Sequence, residues 1–324
     1  FMEMALFDAE AGYYSRHINT IGRSGDFSTS ATLSHTLSRA IARWLQKIWR
    51  SNPSLPRTVI EIGAGDGSLA QGIIKHIGLF ARHRLQYIIV EKSDPLIQQQ
   101  VARLSKHRRC RWHNDMQQAL SDAGGRAVII SNELIDAFPA ELLQWDQKKH
   151  CWHQLLLNHN GDHWETKAGN AVTLPSNSSL NTEHNFADGQ IIERHDSYIE
   201  WLKEWINQWQ MGEMLTIDYG NLFPQLYHRQ PRGTLRAYFA QNRLESMNEI
   251  LARPGHQDIT ADVDFSDLRN RTACLNLKEI VYQSQLDFIS EQKISINDDD
   301  PVTNPHGAGR AFKVLWQRRT EEDS

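Results

Sequence analysis

The stretch Glu61-Ile62-Gly63-Ala64-Gly65-Asp66-Gly67 sets two carboxylates among three glycines, directly after the apolar run Thr58 to Ile62. Its frame is E-x-G-x-G-x-G. In the dinucleotide frame G-x-G-x-x-G the last glycine falls one place later. Glycine leaves the backbone bare, so a ligand can lie close against such a turn. A pyrophosphate would use the turn amides and the helix N-terminus behind them. Two carboxylates would repel that diphosphate and attract a ligand carrying a sulfonium and an ammonium group. S-adenosylmethionine is a ligand of that kind. A tight strand-to-helix turn without a ligand is the plainer alternative.

Further carboxylates fall at later strand ends. Glu91 closes "LQYIIVE", 24 residues after Gly67. There it can accept both hydroxyls of an adenosyl ribose, or simply cap a helix. Asp115, in "ND" after the next strand, can accept an adenine amino group, cap the following helix, or do both. The segment "SNELIDAFP", Ser131 to Pro139, brings Asn132, Glu133 and Asp136 to the carboxyl end of a fourth strand, where ligands of open α/β sheets collect. Glu133 and Asp136 share a face if the segment turns helically. Such a pair can grip a guanidinium through parallel hydrogen bonds. Alternatively, both acids only charge a first helical turn.

The elements that would position these residues alternate. Thr58 to Ile62, Leu85 to Glu91, "RCRWHND" and "RAVIISNE" read as strands. Leu69, Ile73 and Ile77 mark one helix between them, and Pro95 suits the first turn of another. Right-handed crossovers at this spacing give one open, mostly parallel sheet. Earlier, Leu33, Leu37, Ile41, Leu45 and Ile48 mark a helical face that Ser30 or Thr32 would cap, and "FMEMALFDAEAGYYSR" reads as a partly ordered lead-in. Later, Ile199, Leu202, Ile206 and Trp209 stripe a helix that Gly212 would end, before the strand "EMLTIDYG". "NLKEIVYQ" and "AFKVLWQRR" are two more strands around a helix. Asn158 to Gln190 is polar and reads as an irregular insertion. The expected fold class is α/β, a Rossmann-like mostly parallel sheet with one antiparallel strand near the C-terminus. Expected domains are a lead-in at 1–56, a nucleotide-binding core at 57–220 and 273–318 with a polar insertion at 158–190, and a cap at 221–272.

Composition sets the limits. The 324 residues carry a net charge of -4, with 40% hydrophobic and 23% charged residues, enough for a sizeable core and with no global basic field. No apolar run reaches the roughly 20 residues of a membrane helix. Cys110, Cys151 and Cys274 are scattered, with no CxxC, and neither a disulfide framework nor a metal is expected. His150, His153, His159 and His163 lie in a polar stretch whose default is solvated surface. The chain opens on Phe1, so a fragment lacking its true start and any targeting peptide is expected. The basic run "RLSKHRRCRWH" lacks any nucleic-acid module signature, and nucleic acid is not an expected partner.

At these residues the sequence resembles the class I S-adenosylmethionine-dependent methyltransferases, and more narrowly the MidA-type family, whose mitochondrial members assist respiratory complex I assembly by methylating a protein arginine. "FMEMALFDAEAGYYS", "GRSGDFSTS", "VIEIGAGDGSLA", "IIVEKSDPLIQQQ", "ISNELIDAFP", "LTIDYG", "RGTLRAYFAQ", "PGHQDITADVDFSDL" and "GAGRAFKVLWQ" follow in that family's order. The resemblance implies S-adenosyl-L-methionine as cofactor. It implies cofactor contacts from Gly25, Asp26, Phe27, Glu61, Gly63, Ala64, Gly65, Gly67, Glu91, Lys92, Asp115, Met116 and Asn132. Asn132, Glu133 and Asp136 would be catalytic. A protein substrate is implied, with arginine as target; an RNA or small-molecule acceptor and a non-catalytic, cofactor-holding assembly factor are the alternatives. A homodimer is left open. The expected location is cytoplasmic for a bacterial chain and the mitochondrial matrix for a eukaryotic one. Ala64 stands where the family often has proline; "AYFAQNR" lacks the family's more basic "RRHR" and the segment before "GAGRAF" is short, and these latter two bear on substrate choice more than on cofactor binding.

Overall fold

The alternating apolar runs between Thr58 and Asn132 build the parallel half of a sheet. The computed structural model describes residues 1–17, 34–161, 164–174, 176, 178–181, 186–296 and 299–320. These group into two units. One comprises Phe1–His17, Ile135–Leu202 and Gly220–Leu275; the other comprises Ile18–Leu134, Lys203–Tyr219 and Asn276–Ser324.

The second unit holds a sheet of β1 (Thr58–Ile62), β2 (Gln86–Val90), β3 (Cys110–His113), β4 (Val128–Asn132), β5 (Gly212–Asn221), β6 (Lys278–Ser284) and β7 (Phe312–Arg319). Strand β5 runs two residues past the unit boundary. The order is β3-β2-β1-β4-β5-β7-β6. Strands β1 to β5 pair in parallel, and β7 is antiparallel to both β5 and β6. The expected mostly parallel sheet with one antiparallel strand near the C-terminus is thus present. The chain goes outward from β1 to β3, then returns to add β4 on the other side of β1. The carboxyl ends of β1 and β4 therefore flank the switch point where such sheets bind ligands.

Helices α1 (Thr36–Ser51), α2 (Ser68–His76), α3 (Asp94–Leu104), α4 (Met116–Asp122) and α5 (Gln285–Glu291) belong to this unit. Leu37, Ile41, Leu45 and Ile48 of the predicted stripe are buried in its core with Ile73, Ile89, Ile130 and Leu215. Leu33 and the candidate caps Ser30 and Thr32 lie outside the described residues. Ser34 and Thr36 instead tie the start of α1 to the Asp300 carboxylate, at 2.7 and 2.6 Å. Gly212 does not end a helix. It opens β5 at φ 155°, where a Cβ would stand 1.8 Å from the Ala127 carbonyl oxygen.

The first unit contains a four-stranded antiparallel sheet in the order Trp164–Val172, Cys151–His159, Glu141–Asp146, Ile191–Arg194. The first part of the polar stretch that reads as an irregular insertion over Asn158 to Gln190 is therefore a β-hairpin, ending at Val172. Most residues of its outer strand face water, so the hydrophobic alternation that would mark it is weak. Its histidines are dispersed along the hairpin: His153 bonds the Gly169 carbonyl and His159 packs on Trp164, while His163 lies outside the described residues. The predicted lead-in forms a short helix, Met2–Phe7, and a turn at Tyr13–His17. A second, three-stranded sheet has the order Asn242–Leu244, Arg236–Phe239, Asp258–Thr260.

Helix α2 meets α1 through Gly72, where a Cβ would lie 2.5 Å from Cβ of Ser38 and 2.2 Å from its hydroxyl. Gly72→Ala should force these helices apart and cost about 1–3 kcal/mol, as overpacking does. Urea denaturation would measure this, and an unchanged midpoint would refute the close approach.

Candidate functional site

The turn after β1 is left-handed at all three glycines: φ is 64° at Gly63, 54° at Gly65 and 80° at Gly67. L-residues rarely adopt these values, which explains the spacing. Gly67 also precedes α2 and packs on α3, where a Cβ would meet Gln100 at 3.4 Å. Ala64, between the first two glycines, is buried.

The two acids of the turn do different things. Asp66 is spoken for. It accepts from the Ser68 amide at 2.9 Å and pairs with Arg103 at 2.7 Å. The open double negative charge expected from the sequence is thus reduced to Glu61. That carboxyl is only 2% exposed and accepts the Tyr87 hydroxyl proton at 2.5 Å. Burial pushes its pKa up to about 7, against the Tyr87 hydrogen bond and with help from the charges of Asp66 and Glu91.

Glu91 follows β2. Its Oε1 accepts the amides of Lys92 at 2.9 Å and Ser93 at 3.0 Å, and its Oε2 accepts Gln100 Nε2 at 3.3 Å. Burial raises its pKa; these hydrogen bonds oppose the rise. Lys92 itself is exposed. Asp115 caps α4, accepting the Gln118 amide at 2.8 Å and its side-chain nitrogen at 2.6 Å, so the capping alternative is realised. Met116 is buried at the start of that helix.

The residue that binds these pieces together is one the sequence did not single out. Gln100 on α3 is fully buried. Its Nε2 donates to the Gly65 carbonyl at 2.7 Å and to Glu91, while its Oε1 accepts Trp112 Nε1 at 3.1 Å. One carboxamide thereby spans the glycine turn, the end of β2 and strand β3. As the last of three glutamines in a row, it carries no local signal that would separate it from its neighbours.

Across the switch point, Asn132 ends β4 and donates from Nδ2 to Glu133 Oε1 at 3.0 Å. Asn132 Oδ1 is buried and has no hydrogen-bond partner among the described residues. Such an acceptor suits a donor group of a bound ligand. Glu133 has a left-handed φ of 53°. The strain is held by two bonds from β5: the Glu133 amide donates to Ile217 O at 2.9 Å, and the Leu134 amide to Asp218 at 3.1 Å. Asp218 was also missed, although its place in the strand "LTIDYG" beside β4 could have revealed it.

Glu133 and Asp136 do not share one helical turn, because only Ile135–Ala137 is helical, as a 3-10 turn. Asp136 belongs to the first unit. It is buried, accepts the Thr260 hydroxyl at 2.8 Å, and burial raises its pKa. In the same unit Tyr14 donates to Asp258 at 2.8 Å, and burial, then Asp136, push Asp258 up to about 7. Gly25, Asp26 and Phe27 lie outside the described residues.

Residues 40–282 match the family described as "Putative S-adenosyl-L-methionine-dependent methyltransferase". Among curated proteins, the mitochondrial "Protein arginine methyltransferase NDUFAF7 homolog" of Drosophila melanogaster is 26% identical, over 97% of this chain and 79% of its own length. The protein arginine methyltransferase NDUFAF7 of Xenopus laevis is 24% identical, with the same coverages. Two crystal structures from Burkholderia thailandensis share the fold, each 22% identical over 98% of this chain and 86% of the other. One, solved with S-adenosyl-homocysteine bound, has a TM-score of 0.82; the other, a native structure, has 0.78.

The Glu61 environment predicts a pH effect on stability. With a folded pKa near 7 and an unfolded value near 4.5, the native state holds a proton that the unfolded state has released. Stability contributed by the neutral form is complete below about pH 4.5 and lost as pH rises through 7. Glu61→Gln should remove that slope, a difference of about 3 kcal/mol between pH 5 and 8. Denaturation at both pH values checks it; parallel loss in both proteins would contradict the assignment.

Proposed function

The chain belongs to the S-adenosyl-L-methionine-dependent methyltransferases, and from that premise we propose that it methylates a protein side chain, the guanidinium of an arginine. The observation that carries this reading is the Asn132–Glu133 pair at the switch point, held in a strained backbone by Ile217 and Asp218. A carboxylate fixed this way can take a planar cation through charge-assisted hydrogen bonds. The names of the curated relatives support the same acceptor.

S-adenosyl-L-methionine supplies a methyl group on a sulfonium that leaves as a neutral thioether. The chain then has to align and to hold. The three glycines let the cofactor lie against the backbone. Glu91 would accept the ribose hydroxyls with lone pairs left over from its backbone bonds. Glu61 would meet the cationic portion, Asp115 and Met116 would border the adenine, and Ala64 and Lys92 would contribute backbone. Asn132 Oδ1 would receive an N–H of the bound ligand, and Glu133 would orient the guanidinium for in-line attack on the methyl group. A free deprotonated arginine is not required, since Glu133 can take the proton as the new bond forms. Asp136, through Thr260, is the further acid assigned to substrate handling.

Glu133→Gln should keep cofactor affinity and lower turnover by 10²-fold or more, the usual worth of a positioned acid–base group. Incubation with isotope-labelled cofactor and host lysate reads this out. Label on RNA or a small molecule would overturn the arginine reading, and normal turnover would remove Glu133 from catalysis. Gln100→Leu tests the cofactor half alone. It leaves the Gly65 carbonyl unpaired and Glu91 unanchored, and should weaken S-adenosylmethionine binding by about tenfold. An unchanged calorimetric Kd would show that Gln100 does not shape the site.

A further inference from the structure

Among its described residues, the second unit is electrically polarised along its strand axis. Parallel strands place their amino ends on one side. There the chain sets Arg57 before β1, Arg84 before β2, Arg108 and Arg109 before β3, and Arg126 before β4. Strand β7 runs the other way and delivers Arg318 to the same end, in register with Lys278 of β6. Lys75 lies in the last turn of α2, and Lys106 follows α3. Over residues 57–126, eleven lysines and arginines stand against six acids. Five of these acids, Glu61, Asp66, Glu91, Asp94 and Asp115, lie at the carboxyl side of the sheet. The sixth, Asp122, is engaged by Arg111 and His113. Glu213, at the amino end of β5, is paired with Arg318, and Glu279 lies on the far edge strand.

Lys75, Arg84, Lys106, Arg108 and Arg109 are exposed, and none has an ion-pair partner among the described residues. Cations near helix C-termini complement the helix dipole, which accounts for Lys75. It applies also to Arg84, in the last turn of the short helix before β2, but not to Arg108 and Arg109, which precede β3. At the same end, the short helix Leu79–Arg84 leaves Leu79 77% exposed, with Arg82, His83 and Arg84 in its last turn.

We propose that this face docks on an anionic lipid bilayer, with Leu79 entering the interface and the surrounding arginines and lysines meeting headgroup phosphates. Charge complementarity supplies the attraction. An apolar side chain presented from within the charge is useful against acyl chains and of no use against a nucleic-acid backbone, so lipid is the favoured polyanion. No helix among the described residues is long and apolar enough to cross a membrane, so the contact is peripheral. The switch-point site lies at the opposite end of the sheet.

The test is flotation of the full chain with vesicles of phosphatidylcholine alone, or with about one-quarter phosphatidylglycerol, at ~0.1 M and ~0.5 M salt. Binding is expected only to the anionic vesicles and only at the lower salt. The double variant Arg108→Gln, Arg109→Gln should weaken it about 30-fold, two surface charges at the usual worth of each. Leu79→Ser should weaken it several-fold at every permissive salt concentration. Circular dichroism melts confirm that these exposed changes leave the fold intact. No flotation, or equal flotation with neutral vesicles, overturns the proposal. So does binding of a single-stranded RNA oligomer that matches the anionic vesicles and is indifferent to Leu79→Ser, which would mark a nucleic-acid face.

Discussion

The nucleotide half of this protein depends on one buried carboxamide. A turn with three left-handed glycines is intrinsically loose, because glycine has the most backbone freedom to lose on ordering. Gln100 removes that freedom from outside the turn. By holding the Gly65 carbonyl and Glu91 with one nitrogen, it fixes the distance between the bare backbone and the carboxylate that closes β2. Trp112 fixes the carboxamide in turn, through Oε1. Because the group is fully buried, any failure of these bonds leaves polar atoms without water to replace them.

Selection of the ligand then rests on fewer open charges than the sequence advertises. Asp66 is neutralised by Arg103 and serves the start of α2. Glu61 is protected from water by Tyr87 and titrates near neutrality. If Glu61 meets the cofactor as proposed, a sulfonium or ammonium would also stabilise the ionised form of this carboxyl. A diphosphate would do the reverse. On the proposed reading, the preference for a cationic methyl donor would be carried by Glu61 alone.

How much of this was legible follows from the range of each interaction. Periodicity and glycine spacing are local, so β1 to β4, the glycine turn and the place of Asn132 and Glu133 could be read directly. The hairpin from Cys151 to Val172 could not, because a strand exposed to water does not need to alternate in hydrophobicity. Gln100 and Asp218 act across 35 and 84 residues of chain, on Gly65 and Leu134, and only the fold brings each to its partner. Gly212 misled for a related reason. Glycine after a helical stripe usually signals a stop, yet here it is required by the Ala127 carbonyl of the neighbouring strand.

The same topology explains why whole-chain charge is a poor guide to surface. A net charge of -4 suggests no basic field, but a parallel sheet sorts residues by their position in each repeat of strand, turn and helix. Acids follow the strands and bases precede them. Repetition over four strands turns that habit into two opposed faces separated by the length of a strand. The ends have different tasks to reconcile. Carboxylates gathered around a cationic ligand benefit from having no lysine or arginine nearby to compete for them. Arg103, committed to Asp66, and the exposed Lys92 beside Glu91 are the exceptions. Cations excluded from one end can accumulate at the other without cost to the site. At that end Arg318 still pairs with a buried Glu213, while Lys75, Arg84, Lys106, Arg108 and Arg109 find no acid among the described residues. The basic face is thus set by the same repeat of strand, turn and helix that places the acids at the opposite end.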